Sequence, residues 1–296
     1  MKGFIRKLSA FVDKVLLSHT DTKVVSATYL LILVLVSSSC MGDRKTTGIV
    51  DKKLDSLRIA INKTFVGAVP FSEYADSLLF FLYAVHKISP DKILLGQSTC
   101  VDDVLNTKSP FANHVVKGPY NFGGLGGLPF TGVTGLKAFA QHVPDSGTAI
   151  LFVGPHIGFS QKEGWGKIER EGQNHSTTCC GALVGALTKL QKPGAIVKKA
   201  AREPDYQEEM IEQLALRHKY EILDSKEPLV TLTKLVYKEA EQRIQTLPIE
   251  GAEFKYIILI VAVIINTDHE NQDYIWVDHM SIYDLEKGQY LKIMEK

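Results

Sequence analysis

The chain of 296 residues is long enough for one large domain or two small ones, and its 45% hydrophobic and 23% charged residues are typical of a folded protein with a sizeable core. The formal net charge of +1, with basic residues scattered along the chain, argues against a nucleic acid or an acidic partner. Four cysteines, two of them adjacent, do not make a disulfide framework, and a bridge between Cys179 and Cys180 would be strained.

Residues 1–44 differ from the rest and are interpreted as a targeting, signal or membrane-anchor segment ahead of a domain over residues 45–296. Residues 1–23 are basic, with apolar residues at helical spacing, and residues 24–36 are almost wholly apolar. That apolar run is short for a bilayer span, which needs about 20 residues, and small residues follow it where a peptidase could cut. Membrane association through residues 24–36, or two helices of the domain itself, are the alternatives.

The N-terminal segment predicts export from the cytosol, into an organelle (plastid or mitochondrion) or along the secretory route. Asn174-His175-Ser176 fits a glycosylation sequon. A glycan there would crowd the segment that carries Cys180, so an organelle is the favoured location.

From residue 51 onward, helical and strand patterns alternate. A helix is predicted around residues 54–65, and a second helix follows Pro70, with Ser72 as its cap. Three further helices are predicted at residues 181–190, 205–218 and 229–244. Buried strands are predicted at residues 92–95, 148–153 and 256–265, and residues 274–277 are a candidate partner for the last of these. This alternation predicts an α/β fold with a largely parallel central sheet flanked by helices.

Two reactive side chains follow predicted strands directly. Cys100 comes after the strand at residues 92–95, and His156 comes after the strand at residues 148–153. Ligands of parallel sheets bind beyond the carboxyl ends of the strands, so this placement favours a functional site. With Cys179 or Cys180 and the nearby Asp102, these residues could supply the ligands of a catalytic zinc site that keeps one open position. Each residue taken singly also fits a structural role, as a small buried hydrophobe or a loop histidine.

The glycine-rich stretch over residues 122–135 nearly fits a phosphate-binding loop between Gly127 and Thr134. Val133 stands where that motif has its lysine, so the contact to the outer phosphates is missing. The glycines are better explained by a backbone that must approach a small pocket closely.

Several motifs in collinear order resemble the limiting-CO₂-inducible protein B/C family, which is related to the β-carbonic anhydrases. They are Ser98-Thr99-Cys100-Val101-Asp102-Asp103, the 122–135 loop, Phe139-Ala140-Gln141-His142-Val143-Pro144-Asp145, Gly154-Pro155-His156-Ile157-Gly158 and Cys179-Cys180-Gly181-Ala182-Leu183. The resemblance implies a β-carbonic-anhydrase-like fold, a homo-oligomer with a dimer as the expected form, and Zn²⁺ held by Cys100, His156 and Cys180. Cys180 is preferred to Cys179 because the second cysteine of β-carbonic anhydrases precedes Gly-Gly or Gly-Ala.

The resemblance further implies a carbonic anhydrase in which zinc-bound hydroxide converts CO₂ reversibly to bicarbonate, with Asp102 as the catalytic carboxylate. β-Carbonic anhydrases pair that aspartate with an arginine four residues after the cysteine, where this chain has Val104, and Thr107 stands at the later position that relatives use. The aspartate–arginine dyad is therefore incomplete unless Arg170 or another distant arginine fills it. A weak or inactive relative that handles inorganic carbon by binding or assembly is the alternative function.

Overall fold

The computed structural model describes residues 56–106, 111, 114, 116–194, 205–246 and 254–295. The expected targeting segment at residues 1–44 lies outside these ranges, and so does the apolar run at residues 24–36. Among the helices in the described ranges, none combines the length and the apolar character needed to cross a bilayer.

Helices and strands alternate along most of the chain. In the part of the chain that the structure describes, residues 56–62 are helical and seven further α-helices follow: α1 (Phe71–His86), α2 (Asp103–Asn106), α3 (Gly132–His142), α4 (Gly181–Leu190), α5 (Tyr206–Arg217), α6 (Lys219–Leu223) and α7 (Pro228–Gln245). The strands are β1 (Val69–Pro70), β2 (Ile93–Ser98), β3 (Lys117–Asn121), β4 (Thr148–Val153), β5 (His156–Ser160), β6 (Gly164–Trp165), β7 (Lys167–Glu169), β8 (Ser176–Thr178), β9 (Tyr256–Thr267), β10 (Tyr274–Asp284) and β11 (Gln289–Glu295).

The central sheet has the order β1-β10-β9-β4-β2-β3, with β11 beside β10 and β5 beside β9. Its middle is parallel, since β3, β2, β4 and β9 run in one direction. The antiparallel strands β10, β1 and β11 extend it on one side. The predicted α/β fold with a central sheet flanked by helices is confirmed, and the sheet is parallel in its middle and antiparallel on the β10 side.

Both faces of the sheet are covered. Alternate residues of β9 pack into two different hydrophobic clusters, with Ile258, Ile260, Ala262 and Ile264 in one and Val261, Val263 and Ile265 in the other. This burial on both faces explains the continuous β-branched run of β9. Helix α7 packs on β4, β5 and β9, while α1 packs on β1 and β10.

The long strand β9 positions one of the candidate ligands. Its first half pairs with β4, and its second half pairs with β5, both in parallel. Gly154 and Pro155 separate β4 from β5, which follow one another along the same side of β9. A side chain at Gly154 is impossible, because an added Cβ would lie 1.8 Å from the carbonyl oxygen of Ala262. The chain then rejoins β9 at His156, which is paired with Ile264.

Several local expectations need correction. Ser72 does not cap α1, because the helix already begins at Phe71 and no side chain caps its N-terminus. His156 begins a strand instead of lying in a loop. The strand predicted at residues 274–277 continues to Asp284 and is antiparallel to β9.

Candidate metal centre

The fold brings Cys100, His156 and Cys180 together. Cys100 lies two residues beyond β2, His156 is the first residue of β5, and Cys180 immediately precedes α4. One ligand atom from each lies within 4.8 Å of the others, and the sulphurs of Cys100 and Cys180 are 3.6 Å apart. All three side chains are buried. The structure thus unites the residues predicted as metal ligands, which come from three separate elements.

The glycine-rich loop holds two of these segments in place. An added Cβ at Gly123 would lie 2.3 Å from the carbonyl oxygen of Thr99, and one at Gly127 would lie 2.1 Å from that of Gly154. Ser98 also donates a hydrogen bond from its hydroxyl to the carbonyl oxygen of Gly127, at 2.9 Å. The close approach that the glycines permit is therefore to the backbone just before Cys100 and His156.

The imidazole of His156 is suited to bind a metal. Its Nδ1 lies 2.8 Å from Oδ1 of Asn266, whereas its buried Nε2 has no hydrogen-bond partner among the described residues. A buried polar atom without a partner is costly unless something else satisfies it. One imidazole nitrogen and two thiol sulphurs in the same buried space form the mixed donor set that suits Zn²⁺, so the residues fit this metal.

The adjacent cysteines Cys179 and Cys180 face different partners. The sulphur of Cys180 contacts Cys100, but that of Cys179 lies 3.5 Å from Nδ1 of His156 and 3.8 Å from Oδ1 of Asn266. Cys179 forms a second possible cluster with Asp102 and His156. The assignment of Cys180 as the ligand therefore stays a prediction with a defined competitor.

The electrostatics of the site favour a positive charge. The hydrogen bond with Cys180, together with burial, raises the pKa of the Cys100 thiol. Burial alone would lower the pKa of His156, but the neighbouring Cys179 and Cys100 outweigh it and raise that pKa well above its usual value. Both shifts favour the protonated forms, so metal binding by Cys100 and His156 requires the release of protons.

Asp102 and Arg170 form an ion pair beside the donor atoms. Both carboxylate oxygens of Asp102 lie 3.0 Å from one terminal nitrogen of Arg170, and Oδ2 lies 3.9 Å from Nε2 of His156. Burial raises the pKa of Asp102, but Asp103, the positive charge of His156 and the guanidinium of Arg170 outweigh it and lower that pKa. The lowered pKa favours the ionised carboxylate of Asp102, which can only accept hydrogen bonds.

A short hairpin presents Arg170 to this aspartate. Arg170 directly follows β7, and its guanidinium donates to the hydroxyl of Thr177 and to the carbonyl oxygen of Thr178 in β8. Nε of Arg170 also donates a hydrogen bond to Oδ1 of Asp103, at 3.4 Å. Val104, at the expected arginine position, lies in α2 instead, and Thr107 is outside the described residues. The arginine partner of Asp102 is thus supplied from the hairpin and not from the segment after Cys100.

Asn266 and Asp273 are site residues that sequence reasoning missed. Asn266 lies near the end of β9 and is buried against His156. Asp273 accepts a hydrogen bond from the amide of Asn266, at 3.0 Å. The only sequence signal was that a polar residue, Asn266, follows the apolar run that forms β9.

Solved structures of other proteins share this fold. The crystal structure of PtLCIB4, a homolog of the limiting CO₂-inducible protein LCIB, superposes with a TM-score of 0.69 at 26% identity, covering 79% of this chain and 98% of that one. The crystal structure of LCIB itself shares the fold, with a TM-score of 0.58 at 22% identity over 78% of this chain and 96% of the other.

Among curated protein sequences there is no significant match. The family model described as limiting CO₂-inducible proteins B/C β-carbonic anhydrases matches residues 68–284. This match spans most of the chain, including the segments that carry Cys100, His156 and Cys180. The chain therefore belongs to the limiting CO₂-inducible protein B/C family of β-carbonic anhydrases.

Proposed function

We propose that the protein is a zinc-dependent carbonic anhydrase that hydrates CO₂ reversibly to bicarbonate. Cys100, His156 and Cys180 are assigned as the zinc ligands, and Asp102 as the catalytic carboxylate. The observation that carries this proposal is the Asp102–Arg170 ion pair, which lies directly beside the buried donor set. Family membership alone would be equally compatible with a protein that has lost its activity.

Three protein donors leave one coordination position for a water molecule or substrate. When bound there, Zn²⁺ lowers the pKa of its water from about 15.7 to about 7 and so supplies a nucleophile near neutral pH. Two thiolate donors make the metal less acidic than imidazoles would, so groups around the ligands become important.

Asp102 is the group placed to orient the attacking oxygen. Its side chain is only 12% exposed and lies next to Nε2 of His156. A carboxylate kept ionised by Arg170 accepts a hydrogen bond from that oxygen and directs a lone pair toward the carbon of CO₂. Arg170 itself is 15% exposed and held by the β7–β8 hairpin, so the carboxylate does not have to be ordered at each turnover.

Apolar side chains next to the site suit a substrate without charge. A small cavity is bordered by Phe71, Val104, Leu105, Phe152 and Ile264, with Gln97, Thr99 and Asp273 as its polar contributors. Two of its lining residues, Thr99 and Val104, are close in sequence to Cys100 and Asp102, which supports a role for this cavity in holding the substrate. CO₂ is small and apolar, so it gains more from such a surface than from a charged clamp.

The proposal is tested by measuring zinc content and CO₂ hydration on the same preparation. Purified full-length protein loaded with zinc should hold one ion per chain and accelerate hydration in a stopped-flow assay with a pH indicator. One zinc per chain without hydration above the buffer rate would contradict the enzyme proposal. That result would support the alternative, a family member that handles inorganic carbon by binding or assembly.

Assembly and location are proposals of the same kind. We propose a homodimer as the smallest functional form, which light scattering on the purified chain measures directly.

We also propose that residues 1–44 direct the protein to an organelle and are removed there, with an anchor at residues 24–36 as the alternative. Sequencing the N-terminus of the mature protein distinguishes cleavage from retention.

A further inference from the structure

Among the described residues, only one of the two ring nitrogens of His156 has a hydrogen-bond partner. Nδ1 lies 2.8 Å from the side-chain oxygen of Asn266, and the buried Nε2 has no partner among the described residues. In a neutral imidazole one nitrogen carries the proton and the other carries the lone pair that binds a metal. The tautomer of His156 therefore depends on which end of the Asn266 amide faces it.

Asp273 determines that orientation. The amide nitrogen of Asn266 lies 3.0 Å from Oδ2 of Asp273. A carboxylate only accepts hydrogen bonds, so the NH₂ group must face Asp273, and the carbonyl oxygen is left to face His156. Asp273 is itself fixed, because its Oδ1 accepts a hydrogen bond from the backbone N–H of Thr267 at 2.9 Å, and its backbone oxygen accepts one from that of Phe71 at 2.9 Å.

The thiol of Cys179 is the competing partner of Nδ1, and it is the weaker one. Its sulphur lies 3.5 Å from Nδ1, compared with 2.8 Å for the oxygen of Asn266. Sulphur is also a weak acceptor. The same thiol lies 3.8 Å from the oxygen of Asn266 and can donate to its second lone pair, so both contacts agree with the amide orientation that Asp273 sets.

We propose that Asn266 and Asp273 are positioning residues that fix His156 in its Nδ1–H tautomer. The Nε2 lone pair is thereby presented to the metal shared with Cys100 and Cys180. This inference rests on the proposed zinc site and specifies how the imidazole is prepared for it. Hydrogen bonds that orient a metal-ligating histidine commonly change metal affinity about 10- to 100-fold when they are removed.

The first test removes the acceptor and then restores it in a different form. Asn266→Leu keeps the volume but offers Nδ1 no acceptor, so zinc affinity, measured by competition with a chelator on the full chain, should fall about 10- to 100-fold. The double variant Asn266→Asp with Asp273→Asn exchanges the two groups. The carboxylate at position 266 then presents an oxygen to His156, and the amide at position 273 donates to that carboxylate. Most of the lost zinc affinity should be recovered.

A matched control separates this effect from general destabilisation. Thr233→Val in α7 removes a buried hydroxyl that donates to the carbonyl oxygen of Leu229 in the same helix, and not to a proposed ligand or to Asn266 or Asp273. It should lower the melting temperature and leave zinc affinity unchanged. Equal zinc affinity in wild type and Asn266→Leu, or a double variant no better than Asn266→Leu, would overturn the inference.

The tautomer itself is measured by NMR on wild-type protein labelled with ¹⁵N-histidine, which does not depend on any variant folding. In the zinc-loaded protein, the proton of His156 should lie on Nδ1 and the metal-bound shift on Nε2; the reverse pattern overturns the inference. If wild-type protein binds no zinc, the proposed function fails instead. The spectrum of the metal-free protein, at a pH where the ring is neutral, then decides, and a proton on Nε2 contradicts the inference.

Discussion

One terminal nitrogen of Arg170 lies 3.0 Å from each carboxylate oxygen of Asp102, although the two residues are 68 positions apart in the sequence. The pair joins the segment after β2 to the β7–β8 hairpin. It supplies the arginine that is missing at Val104. The account of this protein as an enzyme depends on that pair more than on any other contact.

Replacing Arg170 should therefore reduce turnover without removing the metal. Arg170→Gln leaves Asp102 without its charged partner, and the loss of a charge-assisted hydrogen bond of about 1.5–3 kcal/mol corresponds to a fall of roughly 10- to 100-fold in hydration rate. Zinc content should stay at the wild-type level. Arg217→Gln, on α5, is the control for loss of one positive charge, and an equal fall in both variants would remove Arg170 from the mechanism.

The two adjacent cysteines should differ in metal binding. Cys180→Ser removes a proposed ligand and should abolish stoichiometric zinc binding, because a serine hydroxyl is a poor substitute for a thiolate. Cys179→Ser is the matched control and should retain the metal. Elemental analysis of both purified variants measures this. Retained zinc in Cys180→Ser together with its loss in Cys179→Ser would reverse the assignment.

Gly127 should tolerate no side chain, because its backbone lies directly against the backbone of Gly154. Gly127→Ala combines a φ of +76° with a Cβ only 2.1 Å from the carbonyl oxygen of Gly154, so we expect a loss of about 2–5 kcal/mol in the free energy of unfolding. Gly172→Ala is the matched control, since it has a φ of +78° but open space around the added Cβ. It should lose only about 1–2 kcal/mol. Denaturant titrations measure both, and equal losses would contradict the packing argument.

Glu208 should make stability depend on pH. Burial raises its pKa from 4.5 to about 7, with Lys189 opposing and Glu212 and Asp205 reinforcing the shift. The folded chain thus holds this proton more tightly than the unfolded chain. The free energy of unfolding therefore falls as pH rises from about 4.5 to 7, because the folded chain resists losing the proton. Above that range the loss of stability is constant.

Glu208→Gln should accordingly have the wild-type melting temperature below this pH window and a higher one above it. The control is Glu171→Gln, which removes one negative charge from an exposed side chain. Melting curves recorded across the window for the three proteins test this. A melting-temperature difference that does not change with pH, or that grows toward acid, would contradict the assigned shift.

The sequence pattern was sufficient for the parallel sheet and for two of the candidate ligands. Cys100 and His156 follow apolar runs that form β2 and β4, and the carboxyl ends of neighbouring parallel strands lie at one edge. β5 was not predicted, because Gly154 and Pro155 resemble a strand terminus although the chain continues along β9.

Partners that come from distant segments were predicted poorly: Arg170 was named only as one possible arginine for Asp102, and Asn266 was not named at all. Arg170 reaches Asp102 only because the β7–β8 hairpin folds over the segment after β2, and spacing along the chain carries no signal for this. Asn266 belongs to β9, whose pairing with β5 sets its contact with His156. Both interactions depend on tertiary packing and not on local propensity.

The most direct test of the central claim is the exchange of ¹⁸O from labelled CO₂ into water, followed by mass spectrometry on zinc-loaded wild type and Asp102→Asn at equal zinc content. Wild type should deplete the label well above the uncatalysed rate. Asp102→Asn should be slower by roughly 100-fold, since a positioned acid–base group contributes about 10²–10⁴ in rate. Equal exchange by the two proteins, or exchange by zinc-loaded wild type at the uncatalysed rate, would contradict the account.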